Sequence, residues 1–228
     1  MKAIRQLVCT ISVIGILLVS SCALNHLDIR EEAYDISDYL LENVSGDDIY
    51  LSEVYWDETG LTIELYGSNS IDVILDLQKL SNTWLEDHPD SLVESNQLRF
   101  SIELFESRPD ASDRERFAYC ARIGNYEPYM NIEAGPKVDC LDINECDALA
   151  TSFFNDGFNE YRIIMIPSDT EIDNVEAFIN MPCLESLIVS DYPFDSDSQQ
   201  IEDKYNELTE VLSNYDSYDF DCFVRPSR

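Results

Sequence analysis

The fold is decided by residues 49–67, whose sequence is IYLSEVYWDETGLTIELYG. Residues 49–56 and 61–66 are rich in β-branched and aromatic side chains, and the polar loop 57–60 separates them. Two such runs joined by a short loop that contains glycine predict a β-hairpin. In the second run apolar and polar residues alternate, which predicts a sheet with one buried face.

Helical patterns flank this hairpin. Before it, apolar residues step by four and three from Ile29 to Val44, as on one face of a helix. After it, Ser70 is a natural N-cap for a second helix, and His88-Pro89 ends that helix. Both helices are therefore expected to pack an apolar stripe against the sheet.

Two more alternating runs follow at residues 98–104 and 117–123, separated by a polar loop from Pro109 to Glu115. The order is then helix, hairpin, helix, hairpin. This order predicts an α+β unit over residues 28–133, made of one small antiparallel sheet with helices on one face.

The pattern changes after Gly135-Pro136, where apolar positions recur with a period of 23 residues. The first unit fits the pattern LxxLxLxxCxxL, and the same pattern of apolar positions starts again at Tyr161 and at Leu184. Its members are Val138, Leu141, Ile143, Cys146 and Leu149. Such a period resembles a leucine-rich repeat over residues 138–195, which implies a solenoid of parallel strands.

The alternative is a run of βαβ crossovers with even spacing, whose strands are buried on both faces. Either arrangement predicts a βα-repeat unit over residues 134–228 with four roughly parallel strands. In a leucine-rich repeat, the residues between motif positions four and six face solvent, and here they are Asp142, Met165 and Ile188. If Met165 and Ile188 are bare, they mark an interaction face; if they are covered, they belong to the interior.

The N-terminal segment has a basic start and an apolar run from Leu7 to Val19, followed by Val19-Ser20-Ser21-Cys22. It resembles a bacterial lipoprotein signal peptide with its lipobox. The resemblance implies removal of residues 1–21, diacylglyceryl transfer to the Cys22 sulfur and a short tether at 22–27. The protein would then be anchored to the cell membrane on the extracytoplasmic side.

Two alternatives to the lipobox remain open. The apolar run as a spanning helix is disfavoured, because it falls short of the roughly 20 residues that cross a bilayer core. Cys22 could instead be an ordinary exported cysteine behind a standard signal peptide.

The charge balance restricts the partners. The chain has 46 acidic and 14 basic residues, a formal net charge of −32. Such a surface repels phosphates and anionic lipid heads, so nucleic-acid binding is excluded. A basic protein partner, divalent cations or solvation in a salty setting remain as explanations. The hydrophobic content of 45% and aromatic content of 11% predict a folded core.

The sequence holds no catalytic, cofactor-binding or metal-binding motif. After Cys22, five cysteines remain without paired spacing, and most are expected to be small buried residues, with a disulfide at Cys140 left open. His88 is expected to cap the last carbonyls of its helix. Tyr50 and Tyr55 are two of several aromatic residues that flank the hairpin, and the rim of the core is their favoured place over a partner surface.

Three functions are compatible with these features. The leading hypothesis is a lipid-anchored, non-catalytic binding protein, with the membrane as one partner and a protein as another. The second is a hydrolase acting on cell-wall or sugar substrates through two carboxylates, which a deep cleft holding two acids with raised pKa values would favour. The third is an acidic cation-binding surface protein, although Asp195-Ser-Asp197 lacks the glycine and terminal glutamate of an EF-hand loop.

Overall fold

The computed structural model describes the folded body in segments. These are residues 29–46, 48–56, 60–68, 70–95, 99–115, 119–125, 137–143, 160–168, 178, 181–190, 198–212 and 221–224. The predicted signal peptide at 1–21, the tether at 22–27 and the loop around Asp195 lie outside the described residues.

Eight strands form one sheet in which the spatial order follows the order along the chain. The strands are β1 Ile49–Trp56, β2 Gly60–Gly67, β3 Arg99–Phe105, β4 Ala121–Gly124, β5 Cys140–Ile143, β6 Ile163–Pro167, β7 Ser186–Ser190 and β8 Asp221–Val224. The helices are α1 at 29–43, α2 Ile71–Asp87, α3 Leu92–Ser95, α4 Ala111–Glu115 and α5 Ser198–Leu212. The predicted α+β class with a βα section is confirmed.

The first part of the sheet is mixed, although an antiparallel sheet is predicted. β1 and β2 form the expected antiparallel hairpin, and β3 and β4 are also antiparallel. Between these pairs, however, β2 and β3 run parallel. The reason is α2, because a crossover helix of 17 residues carries the chain back so that the next strand starts at the same end of the sheet.

The second part of the sheet is parallel from β5 to β8, as predicted. Cys140, Ile163 and Ser186 are neighbours in register, and each lies 23 residues after the one before. The sequence period is therefore the strand-to-strand repeat of the sheet. Both faces of β5, β6 and β7 are buried, which matches the βαβ alternative. Membership of the leucine-rich-repeat family stays a prediction.

One hydrophobic cluster joins both parts of the sheet. β4 pairs with β5 across the predicted boundary at 133/134, so the sheet is continuous there. The cluster includes Ile36 of α1, Leu77 of α2, Ile102 of β3, Ile164 of β6 and Leu208 of α5. The helices thus cover one face of the sheet, which we call the core face.

Helix α2 begins and ends where the sequence predicts. The Ser70 hydroxyl accepts a hydrogen bond from the Val73 N–H at 3.5 Å, as an N-cap does. At the other end the His88 ring nitrogen Nδ1 lies 2.8 Å from the Trp84 carbonyl oxygen, and the two rings stack. His88 therefore closes the end of the helix, as predicted.

Helix α4 lies where the sequence predicts only a polar loop. The Asp110 carboxylate accepts hydrogen bonds from the backbone N–H groups of Ser112 and Asp113, and the Asp113 carboxylate accepts one from the Asp110 N–H. This reciprocal arrangement is a capping box, which satisfies the free donors at the start of a helix. It gives the loop one helical turn and fixes the position of Arg114.

Candidate functional site: the charged row of the sheet

The sheet face opposite the core face carries charged side chains in register across five neighbouring strands. We call this set the charged row. Its members are Glu53 on β1, Glu64 on β2, Glu103 on β3, Arg122 on β4 and Asp142 on β5. Residues paired in register lie about 5 Å apart across strands and point to the same face. The row therefore brings together charges from both predicted units of the chain.

Arg114 reaches from α4 onto the first two members of the row. Its Nε donates to both carboxylate oxygens of Glu64 at 3.1 Å, and its Nη2 lies 3.0 Å from carboxylate oxygens of both Glu64 and Glu53. Glu64 is only 2% exposed. Its hydrogen bond to Arg114 raises the pKa of the guanidinium. Arg114 thus neutralises a carboxylate that would be costly to bury alone.

Glu103 occupies the centre of the row and has no such partner. It is half-buried, and in the described part of the chain it makes no hydrogen bond and no ion pair. Burial raises the pKa of its carboxyl to about 7; nearby Arg122 opposes this shift, while Glu64 and Asp142 add to it. Glu103 therefore changes charge near neutral pH.

Asp142 is held by groups from β4 and from the segment before it. The Tyr119 hydroxyl donates to Asp142 Oδ2 at 2.6 Å, and Arg122 Nη2 lies 3.4 Å from the same oxygen. The Arg122 guanidinium also lies 5.3 Å from the centre of the Tyr119 ring, a cation–π distance. Arg122 is thus directed toward β5.

Tyrosines border the β1 end of the row. Tyr50 is 49% exposed and stacks on Tyr66 with 5.4 Å between ring centres. Tyr55 is 39% exposed, donates a hydrogen bond to Glu53 and lies 5.6 Å from the Arg114 guanidinium. The preference for the rim of the core is wrong for Tyr50 and Tyr55, because β1 forms the edge of the described sheet and their side chains point away from the core face.

The predicted interaction face does not form an exposed surface. Asp142, Met165 and Ile188 are neighbours in register, but they are 6%, 2% and 4% exposed. Met165 and Ile188 pack with Cys140 and Ile163 in a second small hydrophobic cluster. Met165 and Ile188 are therefore covered and belong to the interior, because both faces of β5, β6 and β7 are buried.

Three cysteines, Cys120, Cys140 and Cys183, are present as thiols and form no disulfide. Cys120 and Cys140 are buried, as expected for small apolar side chains, whereas Cys183 is exposed. The disulfide left open at Cys140 is thus not formed. Within the residues that the structure describes, no group of three or more His, Cys, Asp or Glu side chains is arranged to hold a metal ion.

An acidic cleft of about 590 Å³ lies between α1 and the end of α2. Its lining includes Glu31, Asp35, Asp87 and Asp90, together with the ring of Trp84. An acidic cleft is what the cation-binding hypothesis requires, but the acidic side chains of this cleft face open solvent. Solvation by water is a sufficient explanation for exposed carboxylates in so acidic a chain.

The sequence did not predict five residues of this site, namely Glu53, Glu64, Glu103, Arg114 and Arg122. Two sequence signals bear on them. Glu64 and Glu103 hold the polar positions of strands whose alternation was recognised, and Asp110-x-x-Asp113 has the spacing of a capping box. The register that aligns these strands depends on the parallel β2–β3 pair, which the sequence does not predict.

Comparison with known proteins finds no family model, no curated protein and no solved structure that matches this sequence. The described helices also include none with the length and apolar character needed to cross a membrane.

Proposed function

We propose that this chain is a lipid-anchored, extracytoplasmic binding protein that contacts a protein partner through the β1 end of its charged row. The anchor follows from the lipobox resemblance at Val19 to Cys22. The lipid attached to Cys22 would hold the folded body close to the membrane, since the predicted tether is only residues 22–27.

The exposed tyrosines Tyr50 and Tyr55 carry the proposal of a contact surface. They lie on an edge strand of the described sheet, beside an ordered ion-pair network, whereas most large apolar side chains among the described residues are buried. Tyrosine and arginine are enriched at the energetic centres of protein interfaces, because a rigid ring contributes contact area at little entropic cost. Both residue types meet here, at Tyr55 and Arg114.

Site-specific photo-crosslinking in membranes of the source cell tests this proposal. A photo-reactive residue at Tyr50 or Tyr55 should yield the same crosslinked protein, identified by mass spectrometry. The matched control is the same residue at Lys79, which is exposed on α2 in the other layer. An identical product from Lys79, or no product from either tyrosine position, would contradict the proposal.

The second candidate is the carboxylate-pair hydrolase, which the raised pKa of Glu103 favours. Adjacent Glu64 supplies a second carboxylate in a different environment, as acid–base chemistry requires. Against it, both Glu64 oxygens are occupied by Arg114 and the side chain is buried. Hydrolysis of cell-wall glycans by the wild type that is lost in Glu103→Gln would establish this activity.

A further inference from the structure

The charged row contains more negative than positive groups. Arg114 forms ion pairs with both Glu53 and Glu64, and Arg122 forms an ion pair with Asp142. Once these pairs are made, the Glu103 carboxylate is left without an ion pair in the described part of the chain. Two arginines thus pair with three of the four acids, and the acid without an ion pair is at the centre of the row.

The geometry explains why Arg122 does not supply that charge. Although Glu103 and Arg122 are neighbours in register, the Arg122 guanidinium is directed to Asp142 and to the ring of Tyr119. Arg114 is likewise fixed by its contacts with both oxygens of Glu64. Turning either guanidinium toward Glu103 would break contacts that stabilise a buried or nearly buried carboxylate.

We propose that Glu103 binds a cationic side chain, a lysine or an arginine, of the protein partner. This inference rests on the proposed function and names the chemistry of the partner at that surface. It follows from charge complementarity: a cation there would pair with the one acid of the row that has no ion pair in the described residues, and it would accompany the tyrosine contacts on β1. The strongly acidic chain favours the approach of such a basic partner.

Binding of this kind is coupled to the proton on Glu103. The charged or titratable groups around it are Glu64 from β2, Arg122 from β4, Asp142 from β5 and, further along the row, Arg114 and Tyr119. A carboxyl with a pKa of about 7 is mostly neutral at pH 5.5 and mostly ionised at pH 8. Since only the ionised form attracts a cation, affinity should rise about 30-fold between these two pH values.

The experiment uses the full chain in detergent and N-ethylguanidinium chloride as the probe, with amide NMR shifts as the readout. We expect saturable shifts at residues 102–104 and 121–123 that tighten from pH 5.5 to pH 8. Glu103→Gln should abolish them. The matched control Glu86→Gln removes one exposed carboxylate from α2, so it changes the net charge equally and should preserve the shifts.

Absence of saturable shifts in the wild type, or unchanged shifts in Glu103→Gln, would overturn the inference. The crosslinking at Tyr50 separates this failure from failure of the proposed function. If a partner is crosslinked but binds Glu103→Gln as tightly as wild type, the role of Glu103 is contradicted and the proposed binding surface at β1 is still supported. If the probe binds but no partner is crosslinked, Glu103 is a cation-binding site and the proposed protein-binding function is contradicted.

Discussion

The side-chain amide of Asn82 pairs with both backbone polar groups of Val138. Its Nδ2 donates to the Val138 carbonyl at 3.2 Å, and its Oδ1 accepts from the Val138 N–H at 2.8 Å. Gln78, one helical turn earlier, donates to the same carbonyl at 3.1 Å. These bonds join α2 of the first predicted unit to Val138, two positions before β5 of the second unit. They therefore help to hold the two predicted units together.

Replacing Asn82 should therefore destabilise the whole protein. In Asn82→Leu the buried Val138 N–H loses its partner, and an unsatisfied buried group costs about 1–3 kcal/mol in addition to the lost bonds. We expect the free energy of unfolding in urea to fall by about 2–4 kcal/mol. The control is Thr83→Ala, since Thr83 is exposed and bonds only within its own helix. Equal losses in both variants would contradict this role of Asn82.

Removing the cation from Glu64 should be costly as well. Arg114→Met leaves a nearly fully buried carboxylate without its ion pair, which typically costs about 3–5 kcal/mol. Glu53→Gln is the matched control, because it removes only the exposed partner of Arg114 and should cost less than about 1 kcal/mol. Chemical denaturation measures both. A small loss in Arg114→Met would show that Glu64 is not stabilised by this pair.

Glu103 makes the stability of the protein depend on pH. Its folded pKa of about 7 lies above the ordinary value of 4.5, so the folded state binds more protons than the unfolded state between these values. The contribution of protonated Glu103 to the free energy of unfolding is then fully present below pH 4.5, and it is lost as the pH rises through 7. At pH 8 we expect Glu103→Gln to be more stable than wild type by up to about 3 kcal/mol.

Thermal unfolding at pH 5 and pH 8 measures this difference. The gain in melting temperature of Glu103→Gln over wild type should be larger at pH 8. Glu86→Gln corrects for the loss of one negative charge, since its side chain is exposed on α2. A gain that is the same at both pH values would rule out Glu103 as the source of the pH dependence.

The anchor has its own test. If the lipobox functions, the mature protein should begin at Cys22 and carry diacylglycerol, which mass spectrometry of the N-terminal peptide would detect. Cys22→Ala should leave the precursor unprocessed by the lipoprotein pathway and without its acyl chains, which provide durable anchoring. An unmodified Cys22 in the wild type would remove the assignment to the membrane surface.

Local sequence patterns predicted the elements whose cause is local. The ends of α2 follow from Ser70 and His88, and the hairpin follows from two alternating runs around a short loop. The 23-residue period predicted the spacing of β5, β6 and β7 because each crossover has the same length. The site was less predictable, since Glu103 and Arg122 are 19 positions apart in sequence and meet only through strand pairing.

The sequence by itself thus determined the positions of most strands and of helices α1, α2 and α5, the acidity of the chain and the export signal resemblance, since each depends on residues that are close along the chain or on composition. Only the tertiary structure decided that β2 and β3 are parallel, that Met165 and Ile188 are interior, and that the charged row exists. The physical reason is that burial and charge pairing are set by which strands become neighbours. The pKa of Glu103 is raised because the fold buries its carboxyl and brings Glu64 and Asp142 close to it, while Arg122 opposes the shift.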